Sequence, residues 1–353
     1  MQAVCLTSIR KVECLSLPEP SLQTGDALVR VLQVGICGSD LHLFRDGAIG
    51  EARALQPFVL GHEAMGVVEE VASSEYAHLV GRRVAIEPAI PCLRCEFCLR
   101  GDLNLCPNHF FLGLPPKAGA MQEFIAHPAH LLEPLPDSLS DAEGVLLEPL
   151  AIALHAVDLG KLRTGRSAAI LGCGTLGLCV LMVLKQMGIH PIFCTDVLGY
   201  RLKLAHELGA DEAVHAAQAD VVAEARRFTG GRGFDYVFEC AGVDETQWQT
   251  AQVAAPGAKC MMIGTNPTGH VRLEGSAARR KGLSILMVRR SRLTLQRAMR
   301  LVLQGRVPLA RLATHTFPKE QCQQAFETAF HYQDGVVKAF VQMCSDNILR
   351  YNG

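Results

Sequence analysis

Ala168-Ala169-Ile170-Leu171-Gly172-Cys173-Gly174-Thr175-Leu176-Gly177 is the stretch that decides the fold of this chain. Four apolar residues read as a buried strand, and Gly172-x-Gly174-x-x-Gly177 is the turn that follows it. Leu178 to Met187 is an apolar helix, and Pro191 to Asp196 reads as the next strand. In this strand–turn–helix–strand unit Gly172 permits the tight turn and Gly174 lets backbone approach a pyrophosphate. Thr175 and Leu176 open the helix, and Gly177 lets helix and strand pack closely. Free N–H groups and the helix dipole at that N-terminus favour an anionic group. Asp196 follows Gly177 by 19 residues at a strand end, where a carboxylate can accept ribose hydroxyls and repel a 2′-phosphate. NAD is therefore favoured over NADP, with Arg201 as the countervailing cation nearby.

Helix and strand continue to alternate downstream. Arg201 to Leu208 is helical and ends at Gly209, and Phe234 to Phe238 and Lys259 to Ile263 are strands. This predicts a doubly wound parallel sheet over residues 151–288. Residues 1–150 instead offer short strands broken by Pro, Gly and Asp, such as Leu28 to Val34, Gly66 to Val71 and Arg83 to Ile86. They predict a β-rich first domain, completed by residues 289–353. Asp141 to Leu159 reads as a helix kinked at Pro149.

The first domain carries the reactive side chains. Gly35-Ile36-Cys37-Gly38-Ser39-Asp40-Leu41-His42 supplies a thiolate at Cys37, a proton-passing hydroxyl at Ser39 and an imidazole at His42. Gly61-His62-Glu63 adds a nitrogen and a carboxylate, and Leu147-Glu148-Pro149 a second carboxylate. One sulfur, one nitrogen and one or two oxygens suit a catalytic zinc that keeps a position open. Cys92, Cys95, Cys98 and Cys106 are a second donor set. Four thiolates leave no open position, so this zinc is structural, holding a lobe with little core of its own.

Composition narrows the alternatives. The chain has 353 residues, 49% apolar and 20% charged, enough for two full cores. Lys plus Arg is 34 against 35 for Asp plus Glu, so neither a nucleic-acid nor an anionic-membrane partner is expected. The uncharged run Ala168 to Leu184 approaches membrane-span length, but its three glycines make it strand, turn and helix. No export signal precedes the 14 cysteines, which points to a reducing, cytoplasmic setting and to metal binding. The nine cysteines outside the two donor sets are read as packed thiols.

With both donor sets, Glu148-Pro149 and the glycine motif together, the chain resembles the zinc-dependent medium-chain dehydrogenases/reductases. It is most similar to the sorbitol (polyol) dehydrogenase branch, through Cys37 to His42, Gly61 to Glu63, Arg83 to Pro88, Phe110-Phe111 with Pro115-Pro116, and Leu147 to Leu150. The resemblance implies a GroES-like catalytic domain plus a Rossmann domain, assembled as a homodimer or homotetramer. It implies NAD-linked oxidation of a secondary alcohol to a ketone, with two zinc ions per chain. Cys37, His62 and Glu63 would be the catalytic ligands, with Glu148 in or beside the shell on a bound water. The proton would leave through Ser39, the cofactor ribose and His42. Phe111, Leu114, Arg289 and Arg290 fall where the branch contacts substrate. Leu43 and Leu114 replace hydroxyl-bearing residues of polyol-specific relatives, which implies a more apolar pocket. The threonine dehydrogenase branch shares the first three ligands but has Asp-Pro at 148–149. A structural or metal-binding protein on the same fold is the non-enzymatic alternative, and the intact Ser39 and His42 argue against it.

Overall fold

The protein, seen in a computed structural model, is described over residues 1–55 and 57–344. It divides into two compact units. The first is Met1–Glu148 together with the chain from Leu309 on, and the second is Pro149–Pro308. The return to the first unit therefore comes at Leu309, later than the expected 289. The reason is the helix Leu295–Leu303, whose preceding Thr294 hydroxyl donates to the Ala151 carbonyl (2.7 Å). Arg297 pairs with Asp158 and Arg306 donates to Gln186, which ties this helix into the second unit. Residues 345–353, part of the expected return, lie outside the described residues.

The first unit is built on a seven-stranded sheet. The expected strands are present as Asp26–Gly35, Glu63–Val71 and Arg83–Ile86, adjacent and antiparallel. Asp26–Gly35 is central. Glu63–Val71 pairs along one side of it, and Lys338–Gln342, from the far end of the chain, pairs with its last residues. Val29, Val31 and Val34, on either side of a register shift between Val31 and Gln33, feed one core that also takes in Leu43, Phe44, Phe326 and Val341. This pairing brings Gly35 opposite Glu63 and Phe340 opposite Gly35. The Cys37 and His62–Glu63 stretches thus meet at one end of one sheet, beside the strand Lys338–Gln342.

Six parallel strands form the second unit. Their order is Glu212–His215, Ile192–Asp196, Ala168–Leu171, Phe234–Glu239, Ala254–Met262 and Ser284–Met287. Ala168–Leu171 starts the fold and is flanked by a strand on each side, so the winding reverses between it and Phe234–Glu239. Ala168–Leu171 and Ile192–Asp196 are buried at every position, as central strands covered on both faces are, while the edge strand Ser284–Met287 is half-exposed.

The helix Asp141–Gly160 carries Pro149 inside it and continues past it without the expected interruption. It is held at its start by reciprocal Ser140–Glu143 hydrogen bonds, and Val145, Leu146, Leu147 and Leu150 are fully buried. That packing carries the helix on past Pro149, which has no N–H to donate. Among the described residues no helix is long and apolar enough to cross a membrane.

Candidate metal and nucleotide sites

Cys37 caps the helix Gly38–Asp46, just beyond the end of the central strand. Its sulfur lies with His62 and Glu63 in a group whose donor atoms are all within 4.8 Å of one another. Asp40, fully buried, fixes this geometry. One carboxylate oxygen accepts from the Cys37 N–H (2.9 Å), the other from the Gly61 N–H (3.0 Å), and His62 Nδ1 stands 3.9 Å away. The His62 ring packs against Phe111, with centroids 5.2 Å apart. Glu148 is buried and close enough to feel Cys37, His62 and Glu63, but it stands outside the 4.8 Å group.

A cation suits this donor set on electrostatic grounds. Burial, and next the Glu63 carboxylate, push the Cys37 thiol up to about 12. Burial also raises Glu148 well above the carboxylate range, against the pull of His62. Left alone Cys37 and Glu148 favour their protonated forms, and a divalent ion would displace those protons. His62 Nδ1 is a buried nitrogen with no hydrogen bond, standing 3.9 Å from the Asp40 carboxylate, and a carboxylate beside one ring nitrogen is what orients a metal-bound imidazole. The residues therefore fit zinc.

One charge here was not anticipated from the sequence. Lys338 is buried, and its ammonium forms an ion pair with the Glu63 carboxylate. Gly35 leaves the space for it: a Cβ there would fall 2.5 Å from the Glu63 carboxylate and 2.8 Å from the Lys338 side chain. The signal was a lone lysine in the run Val336-Val337-Lys338-Ala339-Phe340-Val341. Asp40 was equally readable as a carboxylate inside the motif itself. Ser39 contacts the Cys37 sulfur, and His42 sits three positions further along the same helix.

The four-thiol set also comes together. Cys92, Cys95, Cys98 and Cys106 have all their sulfurs within 4.8 Å, with Cys95 3.5 Å from Cys98 and 3.9 Å from Cys106. These separations are far beyond a disulfide bond. A tetrahedron with zinc–sulfur bonds near 2.3 Å has edges of about 3.8 Å, so the lobe fits a closed zinc site.

In the second unit Gly172 has φ +103°, and a Cβ on Gly177 would lie 1.9 Å from the Gly172 carbonyl oxygen. Both glycines are obligatory for the turn. Above Gly174, cap of the helix Thr175–Gln186, only the Arg201 guanidinium among the described residues comes within 4 Å of a would-be Cβ. That leaves an approach for phosphate to the helix N-terminus, so the turn fits a dinucleotide. Asp196 is buried, accepting from the Cys173 N–H (2.8 Å) and the Leu198 N–H (3.0 Å), with Arg201 at 3.8 Å. Each of its oxygens keeps a lone pair for a ribose hydroxyl.

Among the residues expected at substrate, Phe111 is buried against His62, and Leu114 packs partly on the first unit's core. Arg289 and Arg290 follow the edge strand Ser284–Met287 of the second unit, Arg290 with φ +57°. Leu43, expected to make the pocket apolar, is instead fully buried in the core of the first unit. It faces inward from its helix beside Phe44, so its identity is a packing choice.

The profile of the alcohol dehydrogenase GroES-like domain matches residues 23–137, and that of the zinc-binding dehydrogenases matches residues 175–304. Sorbitol dehydrogenase from Bacillus subtilis (strain 168) is 33% identical over 341 residues, covering 97% of each chain. L-idonate 5-dehydrogenase from Vitis vinifera is 33% identical, covering 93% of this chain and 91% of its own. A protein described as a zinc-binding dehydrogenase from Sinorhizobium meliloti 1021, solved bound to NADP, superposes with a TM-score of 0.86 at 30% identity. It covers 97% of this chain and 98% of its own.

Proposed function

The chain belongs to the zinc-dependent medium-chain dehydrogenases/reductases, in the sorbitol dehydrogenase-like branch, and on that premise we propose that it oxidises a polyol or related sugar alcohol to a ketone with NAD. It is a zinc oxidoreductase that uses a nicotinamide cofactor. The observation that carries the reading is the buried Cys37–His62–Glu63 group with Glu148 beside it. Three protein donors leave a position where an alcohol oxygen can bind. When bound, the zinc supplies Lewis acidity toward that oxygen and the nicotinamide supplies the hydride acceptor.

Each residue then has a task. Cys37, His62 and Glu63 hold the metal, and Asp40 keeps the first two in register through its two backbone bonds. Phe111 shields one face of the His62 ring from water. Ser39 takes the alcohol proton, and His42, on the same face of the helix, carries it to solvent. Arg289 or Arg290 meets a hydroxyl, carboxylate or phosphate at the far end of the substrate. The second zinc, on the four cysteines, makes two ions per chain. Assembly as a homodimer or homotetramer, in the cytoplasm, completes the proposal.

Two features favour a polyol over threonine. Glu148-Pro149 stands where the threonine branch has Asp-Pro, and the relatives above act by name on sorbitol and L-idonate. NADH formation against C4–C6 polyols, their phosphates, 2,3-diols, aldonates and threonine is the test. Polyols or aldonates turned over ahead of the rest is the expected result, and turnover of threonine alone would overturn it. For the cofactor, NAD is preferred because the buried Asp196 carboxylate opposes a 2′-phosphate. Asp196→Ala narrows the ratio of kcat/KM for NAD over NADP; equal use of both by the unaltered protein would give the choice to Arg201.

A further inference from the structure

Glu239 ends the strand Phe234–Glu239, at the point where the winding of the second unit's sheet reverses. In such sheets the crevice at the carboxyl ends of the two strands flanking the reversal takes the dinucleotide. Glu239 is fully buried there, and its side chain is unusually occupied. One carboxylate oxygen accepts from the Ala241 N–H (2.9 Å), the Gly242 N–H (2.7 Å) and the Thr246 hydroxyl (2.7 Å). Its backbone carbonyl accepts from the Ile263 N–H (2.8 Å) and the Gly264 N–H (3.0 Å). One residue thus ties together the loop after its own strand and the loop after the neighbouring strand.

Both loops bear on the phosphate turn or on each other with no space to spare. A Cβ on Gly172 would lie 2.9 Å from the Ala241 N and 2.9 Å from its Cβ. A Cβ on Gly264 would meet the Gly242 N at 2.2 Å and the other Glu239 carboxylate oxygen at 2.8 Å, and one on Gly242 the Thr265 carbonyl oxygen at 2.6 Å. Burial pushes the Glu239 carboxyl up, while the Thr246 hydroxyl and the loop amides pull it back. A buried carboxyl costs stability unless its donors satisfy it, and a plain hydrophobic strand end would avoid the cost. Its placement makes sense as a clamp on the crevice.

We propose that Glu239 is a positioning residue for the nucleotide: its side chain holds the Ala241–Gly242 loop against Gly172, so that the dinucleotide crevice is preformed before cofactor arrives. The proposal rests on the nicotinamide-dependent reading above. Removing the clamp costs affinity because the loops must then be ordered at the moment of binding.

NADH fluorescence titration of the zinc-loaded protein tests this without turnover. Glu239→Ala is expected to raise the NADH Kd about tenfold, Thr246→Val about threefold, and Glu239→Gln, which keeps the acceptor, less than about twofold. Binding stoichiometry stays at that of the unaltered protein, and zinc content is unchanged. An unchanged Kd in Glu239→Ala, or a Glu239→Gln as weak as Glu239→Ala, overturns the proposal. So does a loss of sites with the remaining Kd unaltered, since that marks a purely structural role. Unaltered protein that binds neither NADH nor NADPH brings down the nicotinamide reading as well, whereas normal binding by the unaltered protein with no effect of the substitutions sinks only the clamp.

Discussion

Lys338 carries a full charge into an otherwise apolar strand and spends it on Glu63, a carboxylate of the metal group. Breaking one side of a buried ion pair strands the other. With zinc removed by a chelator, Lys338→Met should therefore lose about 3–5 kcal/mol of unfolding free energy relative to the unaltered apo protein. The zinc-loaded form should lose less, because the metal becomes the counter-charge of Glu63. Denaturant unfolding with and without chelator checks this, and equal losses in the two states would count against the coupling. His127 gives a pH dependence of its own. Its Nε2 bonds the Glu87 carbonyl (2.9 Å) while burial depresses the imidazole to about 3 from 6.5. The unfolded chain takes up that proton below 6.5 and the folded one refuses it. Stability from the neutral ring is thus full above 6.5 and falls as pH drops toward 3, by up to about 1.4 kcal/mol per pH unit. Between pH 6.5 and 4.5 the urea midpoint should fall more steeply for the unaltered protein than for His127→Gln; parallel slopes would clear His127 of the effect.

At the scale of elements, the cysteine lobe and the glycine turn are held together by opposite means. The lobe has one turn of α-helix, Glu96–Leu99, and one of 3-10 helix, Leu103–Leu105, and leaves Leu93, Leu99 and Leu105 exposed, so apolar burial does not organise it. Its shape depends on the four sulfurs. Cys95→Ser should lower zinc from about two ions per chain to about one and make this segment the first site of proteolysis, with NADH binding retained. Metal analysis and limited digestion read both outcomes, and a variant still holding two zincs would refute the four-thiol assignment. The turn at Gly172 to Gly177 needs no ion. Backbone sterics impose it, and the close approach of Gly177 to the Gly172 carbonyl is why its spacing was readable in one dimension.

Across the whole molecule, what could be read from the sequence alone was whatever depends on local spacing. The glycine motif with Asp196, the three-residue spacing of Cys92, Cys95 and Cys98, and the period of each strand are set by covalent geometry within a few residues. They carried the fold class, the dinucleotide turn and the closed metal lobe. Leu43 was misread because a residue's neighbour in a motif says little about which way a helix turns it. The interruption at Pro149 and the return at 289 failed for a similar reason: packing along a long helix and the side-chain bonds of Thr294, Arg297 and Arg306 outweighed the local signal. Only the tertiary structure brought Lys338 to Glu63 across 275 residues of chain, and only it gave Glu239 two loops to clamp. Those pairings are fixed by strand order and register, which are decided by the packing of the entire sheet and not by the residues on either side.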